Sequence, residues 1–249
     1  MKIHKMISRF NQSSRHGSKV KYIVIHYVGA ISSARNNCIY FSGGDRQASA
    51  HYFVDDEIWQ CIPEGKAAWH CGGGLQDTGT AMNGGNRGAQ LHGICTNSNS
   101  IGIELCCHRK NGRIVPTPTA IRTAAPLVQT LMKKYDVPAS RVVRHFDVTG
   151  KYCPNGYIAK SSWAGLRRAL TGVKPTAYPT VTLAKGSQGT QVVKLQRCLN
   201  KILKAGLETD GIFGVLTDKA VRRFQKKYSL EVDGIVGPKT RAKIKKLMK

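Results

Sequence analysis

Val20-Lys21-Tyr22-Ile23-Val24-Ile25-His26-Tyr27-Val28 is an apolar, β-branched run with a tyrosine on each side of its single histidine. That density of valine and isoleucine predicts a strand buried within a sheet. Ile101-Gly102-Ile103-Glu104-Leu105 alternates strictly, so Ile101, Ile103 and Leu105 share one face of a strand and Gly102 and Glu104 the other. Ala50–Val54 and Ile58–Ile62 flank Asp55-Asp56-Glu57 as the arms of a hairpin, and Val142–Phe146 reads as a further strand. Residues 117–135 set Ile121, Ala125, Val128, Leu131 (or Met132) and Tyr135 at helical spacing behind Pro116 and Pro118, with Pro126 as a point where the helix can kink. Ser162–Leu170 is a short helix. Strands and helices interleave, which predicts an α/β mixed sheet with helices packed on it.

The chain changes character near residue 172. Residues 172–181 hold two prolines and no helical or strand period, which predicts a stiff linker between a domain at 1–171 and a second at 182–249. In the second, Asp210-Gly-Ile-Phe-Gly-Val-Leu-Thr217 recurs as Asp233-Gly-Ile-Val-Gly-Pro-Lys-Thr240. Each copy reads as an Asp-Gly turn leading into a helix. With the apolar stripe from Val192 to Leu203, these copies predict a small all-α module of three helices. Residues 72–88 contain seven glycines in seventeen positions and lack the Gly-Lys-Ser/Thr ending of a phosphate loop, so a long surface loop beside a cleft is expected.

Charge narrows the partners. The 249 residues carry 39 Lys and Arg against 14 Asp and Glu, a net charge of +25. Such a surface attracts polyanions, whether nucleic acid, anionic membrane or acidic wall polymer. A hydrophobic content of 41% excludes a chain that is disordered throughout. No stretch approaches the ~18 apolar residues of a membrane span, and no signal-peptide core follows the basic amino end. The expectation is a protein made in the bacterial cytoplasm without a signal peptide, its cysteines largely reduced. There is no Cys-x-x-Cys pair to suggest a structural zinc ribbon.

A histidine near the end of a buried strand is, taken alone, more often structural than a ligand. His26 and His145 stand in two such segments, and Cys153 follows eight residues after the second. Imidazole and thiolate are good zinc ligands, and three of them leave a fourth tetrahedral position open for water. Glu104, on the polar face of its strand, is a candidate proton acceptor, and Lys151 a candidate counter-charge for an oxyanion. Solvated strand and loop residues are the competing readings of these two.

Five segments carry a resemblance: Ile25-His26-Tyr27, Ala50-His51-Tyr52-Phe53-Val54-Asp55, Ala68-Trp69-His70-Cys71-Gly72, Ile101–Leu105 and His145–Pro154. In order and spacing, over roughly 18–170, they resemble the zinc-dependent N-acetylmuramoyl-L-alanine amidases of the phage-lysozyme and peptidoglycan-recognition superfamily. The resemblance implies zinc held by His26, His145 and Cys153, Lys151 as the catalytic lysine, Glu104 as the catalytic glutamate and His70 near the bound substrate. Some members carry a catalytic tyrosine where this chain has Ala50, which assigns it to the glutamate-using branch. Residues 182–249 resemble the small peptidoglycan-binding module of wall hydrolases.

The resulting expectation is a hydrolase of the amide between the lactyl group of N-acetylmuramic acid and L-alanine, in the setting of a phage or prophage endolysin acting on the wall after release. Its partners would be peptidoglycan and anionic wall polymers. An exported autolysin with the same activity, a non-catalytic peptidoglycan-binding protein and a nucleic-acid binder are the alternatives. Retention of Cys153 argues against the second, and the lack of a recognition-helix signature against the third.

Overall fold

The computed structural model describes residues 1–72, 88–173 and 176–248, so most of the glycine-rich stretch at 72–88 lies outside the described residues. Two compact units divide the chain, Met1–Val173 and Lys174–Lys249. The first contains strands β1 (His4–Lys5), β2 (Gln12–Ser14), β3 (Tyr22–Tyr27), β4 (Tyr52–Val54), β5 (Ile58–Gln60), β6 (Lys66–Ala68), β7 (Ser100–Leu105), β8 (Cys107–Lys110), β9 (Arg113–Pro116) and β10 (Val142–Arg144). Its α-helices are α1 (Ala34–Ser42), α2 (Pro118–Tyr135), α3 (His145–Thr149) and α4 (Lys160–Thr171).

The main sheet has the order β1-β5-β4-β7-β3-β10. Only the β4–β5 hairpin within it is antiparallel. Parallel strands covered on both faces explain the apolar run at 20–28. Ile23 and Ile25 of β3, with Ile101, Ile103 and Leu105 of β7, pack against Ala120, Ala124, Leu127, Val128 and Leu131 of α2 and Trp163, Leu166 and Leu170 of α4. Val24 and His26, Gly102 and Glu104 occupy the alternate positions and so face the opposite side. The alternation seen in 101–105 therefore separates a packing face from a chemical one.

Helix α2 runs unbroken through Pro126. Thr117 caps its start, accepting the Ala120 N–H at 2.9 Å, and Asp136 ends it in the left-handed region at φ 52°. The expected strand at Val142–Phe146 is corrected: the strand stops at Arg144 and His145 opens α3. Asp147 causes the switch. Its carboxylate accepts the Arg144 backbone N–H at 2.9 Å, capping a helical turn that Gly150 then closes at φ 84°. Among the described residues no helix is long and apolar enough to cross a membrane.

The second unit holds α5 (Thr190–Leu203), α6 (Val215–Lys227) and α7 (Pro238–Leu247) around Val192, Leu195, Leu199, Phe213, Val221, Phe224 and Ile244. Of the segment expected as linker, Tyr178 packs against this core, and the Cys198 thiol donates to the Ala177 carbonyl at 3.3 Å. The sequence echo is a repeated hydrogen-bonded clasp. Gln196 of α5 donates from Nε2 to the Asp210 carboxylate at 2.7 Å and to the Ile212 carbonyl at 3.1 Å, while its Oε1 accepts the Gly211 N–H at 3.0 Å. Gln225 of α6 does the same to Asp233 at 2.6 Å, Ile235 at 2.9 Å and Gly234 at 2.9 Å. Gly211 and Gly234 lie at φ 78° and 75°, a conformation that explains the glycine in both copies.

Hydrogen bonds from the Ile212 and Ile235 N–H groups, then from the two glutamines, hold Asp210 and Asp233 below the usual carboxylate range. A carboxyl lowered by folding adds stability above its unfolded pKa, about 3.9 for aspartate, and that stability drains away as the pH falls through the lowered value. Acidification below that range is therefore expected to open both clasps, seen as faster amide exchange at Gly211 and Gly234. At neutral pH, Gln225→Ala should unfasten the second clasp alone, costing about 1–3 kcal/mol for the stranded Gly234 N–H. Unchanged exchange at Gly234 in that variant would show that the clasp contributes nothing.

Candidate active site

The chemical face of the sheet meets three chain segments at one end. In the parallel register β3 sets His26 opposite Glu104 of β7, and β4 sets Phe53 opposite Glu104 from the other side. His145 arrives on the first turn of α3 and Cys153 on the loop beyond it. That loop is tied back by the Phe146 N–H, which donates to the Cys153 carbonyl at 2.9 Å. One nitrogen of each histidine and the Cys153 sulfur lie within 4.8 Å of one another, all three residues buried. Cys153 Sγ is 3.7 Å from His26 Nδ1, and Glu104 Oε1 is 3.9 Å from the same nitrogen.

The sequence-predicted ligands thus converge, with Glu104 and Lys151 on the same cleft. The cleft, about 440 Å³, is also lined by Phe41, Gln47, Ser49, Trp69, His70 and Gly72. Lys151 is exposed and His70 is buried beneath the cleft, hydrogen-bonded through both ring nitrogens. Ala50 is fully buried against Cys38, Phe53 and Cys61, while its neighbours Gln47, Ala48 and Ser49 reach the cleft.

Burial sets the protonation of these groups. It holds the His26 imidazole well below its ordinary pKa, reinforced by His145 and His70, and pulls His145 down to about 4. Both rings are therefore neutral at pH 7, the form that ligates a metal. Burial, with the Glu104 carboxyl beside it, pushes the Cys153 thiol well up, so its proton leaves only for a strongly electropositive partner. Burial also pushes Glu104 up to about 8, against the opposing pull of Lys151, and its Oε2 is buried without a hydrogen-bond partner. A neutral His, His, Cys set around an orphaned carboxyl oxygen fits a single divalent cation of zinc type.

Arg144 and Asp147 brace the turn that carries His145, a role the sequence does not announce. Arg144 is 3% exposed, donates from Nη2 to Asp147 at 2.5 Å and from Nη1 to the Ile158 carbonyl at 2.6 Å, and lies over the Trp163 ring. The pair clamps the turn that carries His145 to α4. An Arg two residues before a Phe-Asp in the Val143–Val148 segment is the one local signal, and it does not announce burial. Asn97 accepts the backbone N–H groups of His70 and Cys71 at 2.9 and 2.7 Å, a contact from a distant loop with no sequence signature.

A mixed sheet presenting two neutral histidines, a cysteine and a buried carboxyl in one cleft is the layout of a hydrolase with a candidate metal site. Residues 16–156 match the family model for N-acetylmuramoyl-L-alanine amidase, and residues 188–244 match that for a peptidoglycan binding domain. The chain is 33% identical over 270 residues to N-acetylmuramoyl-L-alanine amidase CwlL of Bacillus licheniformis, covering 96% of this chain and 71% of that one. It is 29% identical over 279 residues to N-acetylmuramoyl-L-alanine amidase CwlA of Bacillus subtilis, covering 97% and 96%. The solved catalytic domain of PlyG aligns at 27% identity and a TM-score of 0.51, over 71% of this chain and 100% of that domain. That of XlyA aligns at 25% identity and a TM-score of 0.51, over 68% and 99%. The chain belongs to the N-acetylmuramoyl-L-alanine amidase family.

Because Arg144 and Asp147 are both buried, removing one leaves the other charge stranded. Asp147→Ala is expected to destabilise the first unit by about 3–5 kcal/mol. Urea unfolding followed by tryptophan fluorescence reads this directly, since Trp59, Trp69 and Trp163 all lie in that unit. A loss under about 1 kcal/mol would mean that the pair is replaceable.

Proposed function

We propose that the chain is a zinc-dependent amidase that cleaves peptidoglycan between the lactyl group of N-acetylmuramic acid and L-alanine. The observation that carries this reading is the convergence of His26, His145 and Cys153 beside Glu104 at the floor of an open cleft. Bound there, zinc would polarise the scissile carbonyl and acidify water. Glu104 takes the proton of the attacking water and returns it to the leaving amine. Its raised pKa suits a carboxyl that must both accept and release a proton near neutrality. Lys151 offers its ammonium to the oxygen on which negative charge develops. Trp69 and Phe41 on the cleft wall give a sugar ring apolar surface to lie against.

In the same proposal the second unit holds the enzyme on the wall, raising the local concentration of scissile bonds. The excess of basic residues suits an anionic envelope such as one bearing teichoic acids, an attraction that salt screens within about 8–10 Å. A lytic setting, that of an endolysin reaching the wall after release, belongs to this reading. The fold is shared with a solved endolysin of Bacillus subtilis at 26% identity and a TM-score of 0.51.

Digestion of purified peptidoglycan should release new L-alanine amino termini without new reducing sugars. Cys153→Ser is expected to lose zinc and activity together. Glu104→Gln should keep its zinc and lose about 10²–10⁴-fold in turnover. Reducing ends in place of amino termini, or wild-type zinc and turnover in Cys153→Ser, would overturn the proposal. A chain ending at Val173 should still cleave soluble muropeptides but act more slowly on intact walls. Equal rates on walls with and without residues 174–249 would remove the anchoring role.

A further inference from the structure

His26 cannot serve as described unless its ring carries its hydrogen on the correct nitrogen. Its Nδ1 faces Cys153 and Glu104, whereas its Nε2 lies 3.1 Å from Nδ1 of His70. Nε2 of His70 lies 3.2 Å from the Ser100 hydroxyl, which lies 2.5 Å from the Thr96 carbonyl oxygen. A carbonyl only accepts, so the single hydroxyl hydrogen of Ser100 goes to Thr96. The Ser100 oxygen must then accept from His70 Nε2–H. That leaves His70 Nδ1 as an acceptor, obliges His26 to donate from Nε2, and frees the Nδ1 lone pair of His26 for the metal position. One backbone carbonyl thus sets the direction of three successive hydrogen bonds. His145 is set separately, its Nε2 donating to the Gly72 carbonyl at 3.1 Å.

A second observation comes from the strand beneath. A Cβ on Gly102 would fall 2.6 Å from Cγ of the His70 ring and 2.8 Å from two other ring atoms. Gly102 has no positive φ that would call for glycine; the demand is for space. The glycine between Ile101 and Ile103 is the seat of the His70 ring. The Cys71 thiol also touches the relay, 3.4 Å from His70 Nδ1 and 3.6 Å from Ser100 Oγ, but it is a weak donor.

We propose that Ser100 and His70 are positioning residues that hold His26 as its Nε2–H tautomer with Nδ1 presented to the metal, and that Gly102 is required to seat His70. The inference rests on His26 being a metal ligand. It gives His70, which lines the cleft, a task toward the metal ligand His26. Outer partners of ligating histidines are worth about 10–100-fold in metal affinity.

The test uses the full chain, zinc alone as probe, chelator competition for affinity, and ¹⁵N NMR of the His26 ring in the metal-free protein. Wild type should show Nε2–H. Ser100→Ala frees the His70 ring to turn donor toward His26, so His26 should move to Nδ1–H and zinc should bind about 10–100-fold more weakly. His70→Leu and Gly102→Ala should weaken zinc likewise. His70→Gln, whose amide oxygen can accept from His26, should recover part of the loss. The same His26 tautomer and zinc affinity in wild type and Ser100→Ala would overturn the relay, even if His70→Leu fails to fold. Should wild type take up no zinc, the proposed metal function fails, and the ¹⁵N pattern judges the relay by itself: a tautomer switch in Ser100→Ala supports it, and an unchanged tautomer overturns it.

Discussion

The parallel pairing of β3 on β7 is the constraint on which the site depends. It sets His26 beside Glu104 and Val24 beside Gly102 on the chemical face, while Ile23, Ile25, Ile101 and Ile103 go to the helices. Strand side chains alternate with a period of two, so a slip of one residue would exchange the faces. A ligand and a carboxyl would then enter the apolar core, and isoleucines would line the cleft. The burial of the isoleucines against α2 and α4 therefore holds the catalytic register as well as the fold. Each fully buried aliphatic side chain is worth about 1.5–3 kcal/mol, which makes the slip prohibitive.

The same burial shapes the chemistry. A protein with a net charge of +25 sets its metal position among buried groups: two neutral imidazoles, a thiol, and a carboxyl that burial raises to about 8 and so poises to exchange a proton near neutrality. The cationic groups that attract a polyanionic envelope lie mostly on the surface, where salt and water moderate them. Inside, Arg144 is matched by Asp147, and Arg15 by the backbone carbonyls of Glu64, Ser98 and Ser100.

Much of this was legible in the sequence because it is carried by short-range pattern. The alternation at Ile101–Leu105, the apolar run at 20–28 and the repeated Asp-Gly-Ile turns need only the period of a strand or the geometry of a turn. The donor residues were legible as types at spacings, and the family resemblance joined them. What escaped depends on side-chain contacts that residue type and periodicity do not reveal. The strand ends before His145 because the Asp147 carboxylate folds back onto the Arg144 N–H, a local contact that an apolar strand pattern conceals. Nothing around Ser100 or Asn97 marks them, since their partners His70 and Cys71 come from another part of the chain. Gln196 and Gln225 read as polar positions on amphipathic helices until the turns they fasten are in view.

The two clasps also bear on the order in which the molecule forms. Gln196 reaches Asp210 across 14 residues, and Gln225 reaches Asp233 across 8, so both clasps are local, while the Leu183–Val236 bridge ties the ends of the unit together. The central strands of the first unit must bring Tyr22 alongside Ser100 before either gains anything. Chains rich in local contacts fold faster than those that wait on distant parallel pairing, because less loop entropy is spent before the first reward. On this ground the two clasps are early contacts, and the parallel pairing of β3 with β7 is the slower step.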